Sequence, residues 1–176
     1  MKTLVVVIHP EMHVSVFNKR WVEELKKFPN EFYIHELHHA YPDEKINIEE
    51  EQKRIEQFDK IVFQFPFYWF NCPPFFKKWL DEVLTYGWAF GKNSDYKIAG
   101  KKISLAITVG IDEYEYCANE KYKYTMEELL RPFELTFEYV QADYKPFFAH
   151  YGIELNSTQQ NIEESVKSYL EYLRKD

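Results

Sequence analysis

A chain of 176 residues is long enough to form one domain with a substantial core and no covalent staples. Its 45% apolar and 29% charged residues exclude wholesale disorder, and a net charge of −7 with lysines scattered among glutamates argues against nucleic acid as a partner. The two cysteines, Cys72 and Cys117, lie far apart in no metal-like spacing, so neither a disulfide framework nor a zinc site is indicated and a reducing cytoplasm suits them.

The opening MKTLVVVI has an apolar run too short for a signal segment, and nothing later approaches a membrane span. Thr3 to Ile8 is instead a continuous, β-branched run, as expected of a strand buried on both faces. Phe17, Trp21, Leu25 and Phe28 then mark an amphipathic helix from about Ser15 to Phe28, stopped by Pro29-Asn30. Phe32 to Leu37 reads as a second strand. Asn47, with Glu50 three residues on, caps a helix bearing Ile48, Ile55 and Phe58 on one face. A third strand, Lys60 to Phe65, runs into the loop Pro66-Phe67-Tyr68-Trp69-Phe70, and Pro74 opens a helix whose apolar side is Phe75, Phe76, Trp79, Leu80 and Val83. The fourth strand is Lys102 to Thr108. Thr125 with Glu128 forms a capping box for a helix with the stripe Met126, Leu129, Leu130, Phe133 and Phe137. A fifth strand falls within Tyr139–Phe148, and Ser157 with Gln160 caps a last helix that buries Ile162, Val166, Tyr169, Leu170 and Leu173.

Strands alternating with helices imply parallel pairing through crossovers, hence a three-layer α/β sandwich in a single domain spanning 1–176. Ligands of such a sheet sit beyond the carboxyl ends of its strands. Three loops therefore matter. The first, HPEMHVSVFN, has no glycine and so no dinucleotide or phosphate-loop fingerprint. Ser15 and Asn18 nevertheless lie where a helix start would favour an anion, with His9 as a further donor; taken alone, the segment is better explained by an ordinary cap and a turn histidine. In the second, Phe67 to Phe70 offer flat apolar faces between prolines, suited to a conjugated ring or to core packing. The third, Thr108 to Tyr116, has one glycine for close backbone approach, with Tyr114 or Tyr116 as a phenolic donor. The histidines His13, His35, His38, His39 and His150 show no ligand spacing and read as surface or structural, and no hydrolase motif is present.

These segments together resemble the flavodoxin-like NAD(P)H quinone reductases, a family that includes the ancillary flavoproteins of glutathione-regulated potassium efflux and the modulator-of-drug-activity proteins. The matching stretches are HPxxxxSxxN at His9–Asn18, YPD at Tyr41–Asp43, QFPxYWxxxPxxxKxWxDxVxxxGxAxG from Gln64 to Gly91 and GKK at Gly100–Lys102. ELLRPFExT at Glu128–Thr136 and PF…YG between Pro146 and Gly152 complete the set. The resemblance implies a five-stranded parallel sheet in the order 2-1-3-4-5, usually in a homodimer, with FMN or FAD at the strand tips. It assigns the phosphate end to His9, Ser15, Val16, Phe17 and Asn18, and the ring to Pro66, Phe67, Tyr68, Trp69 and Phe70. The ring's other edge falls to Thr108, Val109, Gly110 and Ile111, with Tyr116 nearby as a weaker candidate for donating to an acceptor oxygen. Backbone N–H groups of Phe67 to Phe70 are the candidates for stabilising the reduced ring. Family members commonly read TTGG where this chain has Thr108-Val109-Gly110-Ile111, so Val109 removes a hydroxyl and Ile111 is expected to narrow the pocket or shift the nicotinamide site. The implied activity is two-step hydride transfer from NAD(P)H to a quinone or similar acceptor. The alternatives are a regulatory subunit of a potassium-efflux channel and a one-electron flavodoxin carrier, the latter disfavoured by a first loop poor in Ser, Thr and Gly.

Overall fold

A computed structural model describes residues 2–175. The first strand, β1 (Thr3–Val7), leads to α1 (Phe17–Leu25), β2 (Phe32–Glu36), the one-turn α2 (Leu37–Ala40) and α3 (Ile48–Glu56). Next come β3 (Lys60–Pro66), α4 (Pro74–Val83), β4 (Lys102–Thr108) and α5 (Met126–Tyr139). Two short strands, β5 (Asp143–Tyr144) and β6 (Phe148–His150), precede α6 (Gln159–Arg174). All pairings in the sheet are parallel, in the order β2-β1-β3-β4-β5, with β6 also pairing with β4. The expected order holds, and register aligns Pro66 with Thr108 so that the loops after β3 and β4 leave the sheet side by side.

The period of two in each buried strand sends alternate residues to opposite faces. Val5, Val7, Val62 and Ala106 meet Trp21, Leu25, Val166 and Tyr169 of α1 and α6. The other face takes Leu4, Val6, Phe63, Phe65 and Leu105, covered by α4 and α5. Much of the aromatic content sits here: Phe63 stacks on Phe76 at 4.7 Å and on Phe137 at 5.5 Å, and Phe76 on Phe133 at 5.7 Å. Phe75, Phe76, Trp79, Leu80 and Val83 are all buried, as the stripe in α4 requires.

Local chemistry moved several boundaries. Helix α1 begins at Phe17 rather than Ser15, because the N–H groups of Val14 and Ser15 turn back onto the carbonyl of Glu11. Thr158, not Ser157, caps α6, accepting from the N–H of Asn161. Asn47 caps α3 as expected, but Ile48 faces solvent and Phe58 packs from beyond the helix end. Thr125 and Glu128 do make the reciprocal box on α5. The fifth strand is split, because Lys145-Pro146-Phe147 interrupts the ladder and pairing resumes only at Phe148.

Beneath α3 a carboxylate is fully buried. Glu51 accepts from the Tyr41 hydroxyl at 3.0 Å and from Trp79 Nε1 at 2.8 Å, and His35 Nε2 stands 2.8 Å away. Burial disfavours its charged form, but the hydrogen bond and charge of His35, with Trp79 and Tyr41, outweigh it and hold the carboxyl below its ordinary value. This gives the YPD segment a structural role: Tyr41 ties the end of α2 to Glu51 of α3, which in turn holds Trp79 of α4.

Candidate functional site

Three loops converge at the tips of β1, β3 and β4. The middle one is the most unusual. Tyr68 and Asn71 exchange both backbone hydrogen bonds, at 3.0 and 2.9 Å, closing a two-residue hairpin turn whose central residues are Trp69 and Phe70. Both have positive φ, 49° and 58°, a conformation such turns normally give to Asn and Gly. Bulky aromatic residues there carry about 1–2 kcal/mol of strain each. The Trp69 side chain is 93% exposed, so no burial offsets its share, while Phe67 is tucked beneath.

The backbone corrects one expectation. The Phe67 N–H donates to the Thr108 carbonyl at 2.9 Å and the Tyr68 N–H to Asn71, so neither is free to stabilise a bound ring. The N–H groups of Trp69 and Phe70 have no partner among the described residues. Pro66 ends β3 beside Thr108 and has no N–H to offer.

In the first loop, His9 is buried, and its Nδ1 accepts the Glu11 N–H at 3.1 Å. Burial, then the neighbouring His38, lowers its pKa to about 4, so at neutral pH the ring is uncharged with its proton on Nε2, available as a donor. His9 also meets Tyr68 edge-on, with ring centroids 6.4 Å apart, joining the first loop to the second. Helix α1 carries no side-chain cap and no acidic residue in its first turn. The N–H groups of Val16, Phe17 and Asn18 have no partner among the described residues, leaving the positive end of the α1 dipole open. Ser15 is half-buried just before it, Val16 is exposed, and the Phe17 ring packs inward on His150 at 5.0 Å.

The side chain of Asn18 turns away from this opening. It donates to Thr108 Oγ1 at 2.8 Å and accepts from Gln64 Nε2 at 3.1 Å, while Gln64 Oε1 accepts from the Tyr169 hydroxyl at 3.1 Å. Asn18, Thr108, Gln64 and Tyr169 thus form a buried polar support that fixes the tips of β3 and β4 to α1 and α6. Thr108 Oγ1 only accepts in this support, so its hydroxyl proton stays free to donate.

In the third loop the Val109 side chain is fully buried in the core, and its N–H and carbonyl bond to His150 and Ile153. An apolar residue therefore suits the position. The N–H groups of Gly110 and Ile111 have no partner among the described residues. A Cβ on Gly110 would come within 2.6 Å of the carboxylate end of Glu154, an exposed side chain that can swing aside. Ile111 is half-buried against the core. Tyr116 lies against Tyr122 at 4.9 Å, Tyr151 at 5.9 Å and Phe67 at 6.3 Å, and burial pushes its hydroxyl up to about 12, so it is a donor at neutral pH.

The structure thus brings His9, Val16 to Asn18, Tyr68 to Phe70, Gly110, Ile111 and Tyr116 to one end of the sheet. Sequence reasoning missed His38, which enters through the unforeseen turn α2, and Tyr122, which packs on Phe70 at 5.1 Å. Nothing set Tyr122 apart among fourteen tyrosines. The arrangement offers backbone donors to an anion at one end, and exposed aromatic faces with further backbone donors at the other. It fits a flat, polar-edged molecule carrying a phosphate.

Comparison with known proteins points the same way. A family profile described as a flavodoxin-like fold matches residues 1–173. The chain is 40% identical over 174 residues to a Bacillus subtilis protein named as an uncharacterized NAD(P)H oxidoreductase, YrkL, covering 99% of this chain and 98% of that one. A crystal structure of general stress protein 14 from Treponema denticola, in complex with FMN, is 43% identical, with a TM-score of 0.93 over 98% of each chain. A structure described as an NADPH-quinone reductase from P. pentosaceus is 28% identical, with a TM-score of 0.89 over 100% of this chain and 99% of that one. The potassium-efflux ancillary protein KefG of Pectobacterium atrosepticum is 41% identical over 135 residues, 77% of this chain and 73% of its own.

Proposed function

The chain belongs to the family of flavodoxin-like fold matched over residues 1–173, and from that membership we propose that it is an FMN-dependent NAD(P)H:acceptor oxidoreductase acting on quinones or similar electrophiles. The observation that carries this reading is the set of unpartnered backbone N–H groups on α1, the Trp69-Phe70 turn and Gly110-Ile111, all at one end of the sheet. The FMN-bound relative from Treponema denticola supports the choice of FMN. The NAD(P)H oxidoreductase and quinone reductase relatives support the reductant and the acceptor class.

FMN, when bound, supplies two-electron hydride chemistry. This chain's residues provide binding and orientation. The phosphate end belongs to the N–H groups of Val16, Phe17 and Asn18, with the His9 Nε2–H and the Ser15 hydroxyl. The ring belongs to Tyr68, Trp69 and Phe70, with Phe67 and Pro66 as the floor beneath them. The N–H groups of Trp69, Phe70, Gly110 and Ile111 would meet its polar edges, acting as fixed donors to negative charge. Thr108 and Val109 hold that loop in place. Tyr116, uncharged at neutral pH, is suited to donate a hydrogen bond to an acceptor oxygen.

The test is turnover. FMN-loaded protein should oxidise NADH or NADPH with menadione as acceptor, and failure with both nucleotides would refute the reading. The match to KefG favours a second role, docking on a potassium-efflux channel; co-purification with channel-bearing membranes would support it, and absence of capture would remove it. We also propose a single-domain cytoplasmic homodimer. Leu135 and Tyr139 are exposed beside an apolar groove of about 500 Å³ between α4 and α5, and a monomer in sedimentation at micromolar concentration would contradict that assembly.

A further inference from the structure

At the opposite end of the sheet, where β3 and β4 begin, a separate cavity of about 320 Å³ carries four lysines on its lining, Lys60, Lys102, Lys145 and Lys175. Lys60 and Lys102 are register partners at the heads of their strands, and Pro66 and Thr108 are partners at the tips. At about 3.3 Å per residue, roughly 20 Å separates this cavity from the candidate flavin site.

The charge here runs against the composition. The chain carries a net charge of −7, yet no carboxylate among the described residues lines this cavity. Lys60 has a structural task, donating to the Leu173 carbonyl at 2.8 Å and to that of Lys175, where it offsets the negative end of the α6 dipole. Lys145 lies 2.6 Å from Asp143, on a partly exposed pair that water screens. Lys102 and Lys175 are paired with no carboxylate among the described residues. Leaving Lys60 to its structural task, the ammonium groups of Lys102, Lys145 and Lys175 share one concavity with a single paired carboxylate, Asp143, among the described residues, a positive potential that attracts an anion.

The rest of the lining is not that of a simple phosphate site. Pro146, Phe147 and the ring of Tyr172 form apolar walls, and Ser104 adds a buried hydroxyl. The Tyr172 hydroxyl donates to the Pro146 carbonyl at 2.8 Å, which fixes two of these walls against each other. Preformed apolar faces with a few convergent charges are the features of a small-molecule site. The same Lys145-Pro146-Phe147 strap that splits the fifth strand supplies one side of the cavity, and this gives the interruption a use.

We propose that this cavity binds a small aromatic anion, a carboxylate or sulfonate carried on a flat apolar ring. The charge would be met by Lys102, Lys145 and Lys175, and the ring by Phe147, Pro146 and Tyr172. The assignment stands apart from the flavin reading and needs no cofactor.

The probe is 8-anilinonaphthalene-1-sulfonate, titrated by fluorescence into the full chain preloaded with FMN so that the strand-tip site is filled. Protein that takes up no FMN is titrated as it is, so failure of the flavin reading shows in the spectrum and leaves this test intact. One saturable site is expected, weakened at least tenfold by Lys102→Glu and by Phe147→Ala, with Lys102→Gln in between. Sodium 1-naphthoate should displace the dye, and inorganic sulfate at the same ionic strength should not. Circular dichroism of each variant establishes that the fold is kept. Absence of a saturable site, or unchanged affinity in folded Lys102→Glu, would overturn the proposal. Equal displacement by sulfate would overturn its aromatic part.

Discussion

Replacing Trp69 with Asn should make the flavin-free protein more stable while weakening its hold on FMN. Trp69 adopts φ 49° in a turn that favours Asn at this first central position. The left-handed conformation costs an ordinary L-residue about 1–2 kcal/mol, and Asn, whose short side chain bonds locally, bears less of it. With 93% of the tryptophan exposed, almost no buried area is forfeited. A net gain of about 1 kcal/mol raises the melting temperature of a chain this size by about 2–4 °C. Against that, losing an aromatic face from a bound ring costs about 0.5–1.5 kcal/mol, or roughly a twofold to tenfold weaker FMN affinity. Calorimetry of flavin-free protein and fluorescence titration with FMN measure the two effects separately, and Trp69→Phe, which keeps both ring and strain, should leave both near wild type. A lower melting temperature for Trp69→Asn would refute the strain argument. Unchanged FMN affinity would refute the contact with the ring.

The buried support offers a second test: Thr108→Val leaves the Asn18 amide without its acceptor and should cost about 1–3 kcal/mol in urea unfolding, with little cost expected if the hydroxyl is idle. Because the folded pKa of Glu51 is depressed, its contribution is present above the unfolded value and is lost as pH falls through the folded one. Glu51→Gln should therefore flatten the loss of stability on acidification below about pH 5 while lowering stability near neutrality, and an unchanged acid limb would count against the buried carboxylate. His9, whose pKa is lowered to about 4, binds a proton later than its unfolded counterpart, so stability should fall as pH drops from about 6.5 toward 4, by up to about 3 kcal/mol. His9→Asn should remove that slope, and identical urea midpoints across this range for both proteins would contradict the buried, neutral histidine.

The middle of the sheet was legible because β1, β3 and β4 are buried on both faces and so read as largely apolar runs, and β4 matches its expected limits residue for residue. The α4 stripe and the Thr125–Glu128 box were equally plain, since spacing alone defines them. The loops were harder. The start of α1 depends on the Glu11 carbonyl capturing two N–H groups, which no residue pattern announces. Asn18 and Val109 read as ligand contacts, yet one side chain is committed to Thr108 and Gln64 and the other to the core. Which way a side chain points at a strand tip is decided by partners ninety residues or so away, and sequence periodicity carries no record of that. The positive φ angles at Trp69 and Phe70 were hidden for the opposite reason: propensity would have put Asn and Gly there.

The most direct measurement is a titration of flavin-stripped protein with FMN, followed in the visible spectrum. One FMN should bind per chain with a shifted, structured flavin band. An unperturbed spectrum of free flavin at every protein concentration would contradict the account of the strand tips as a flavin site.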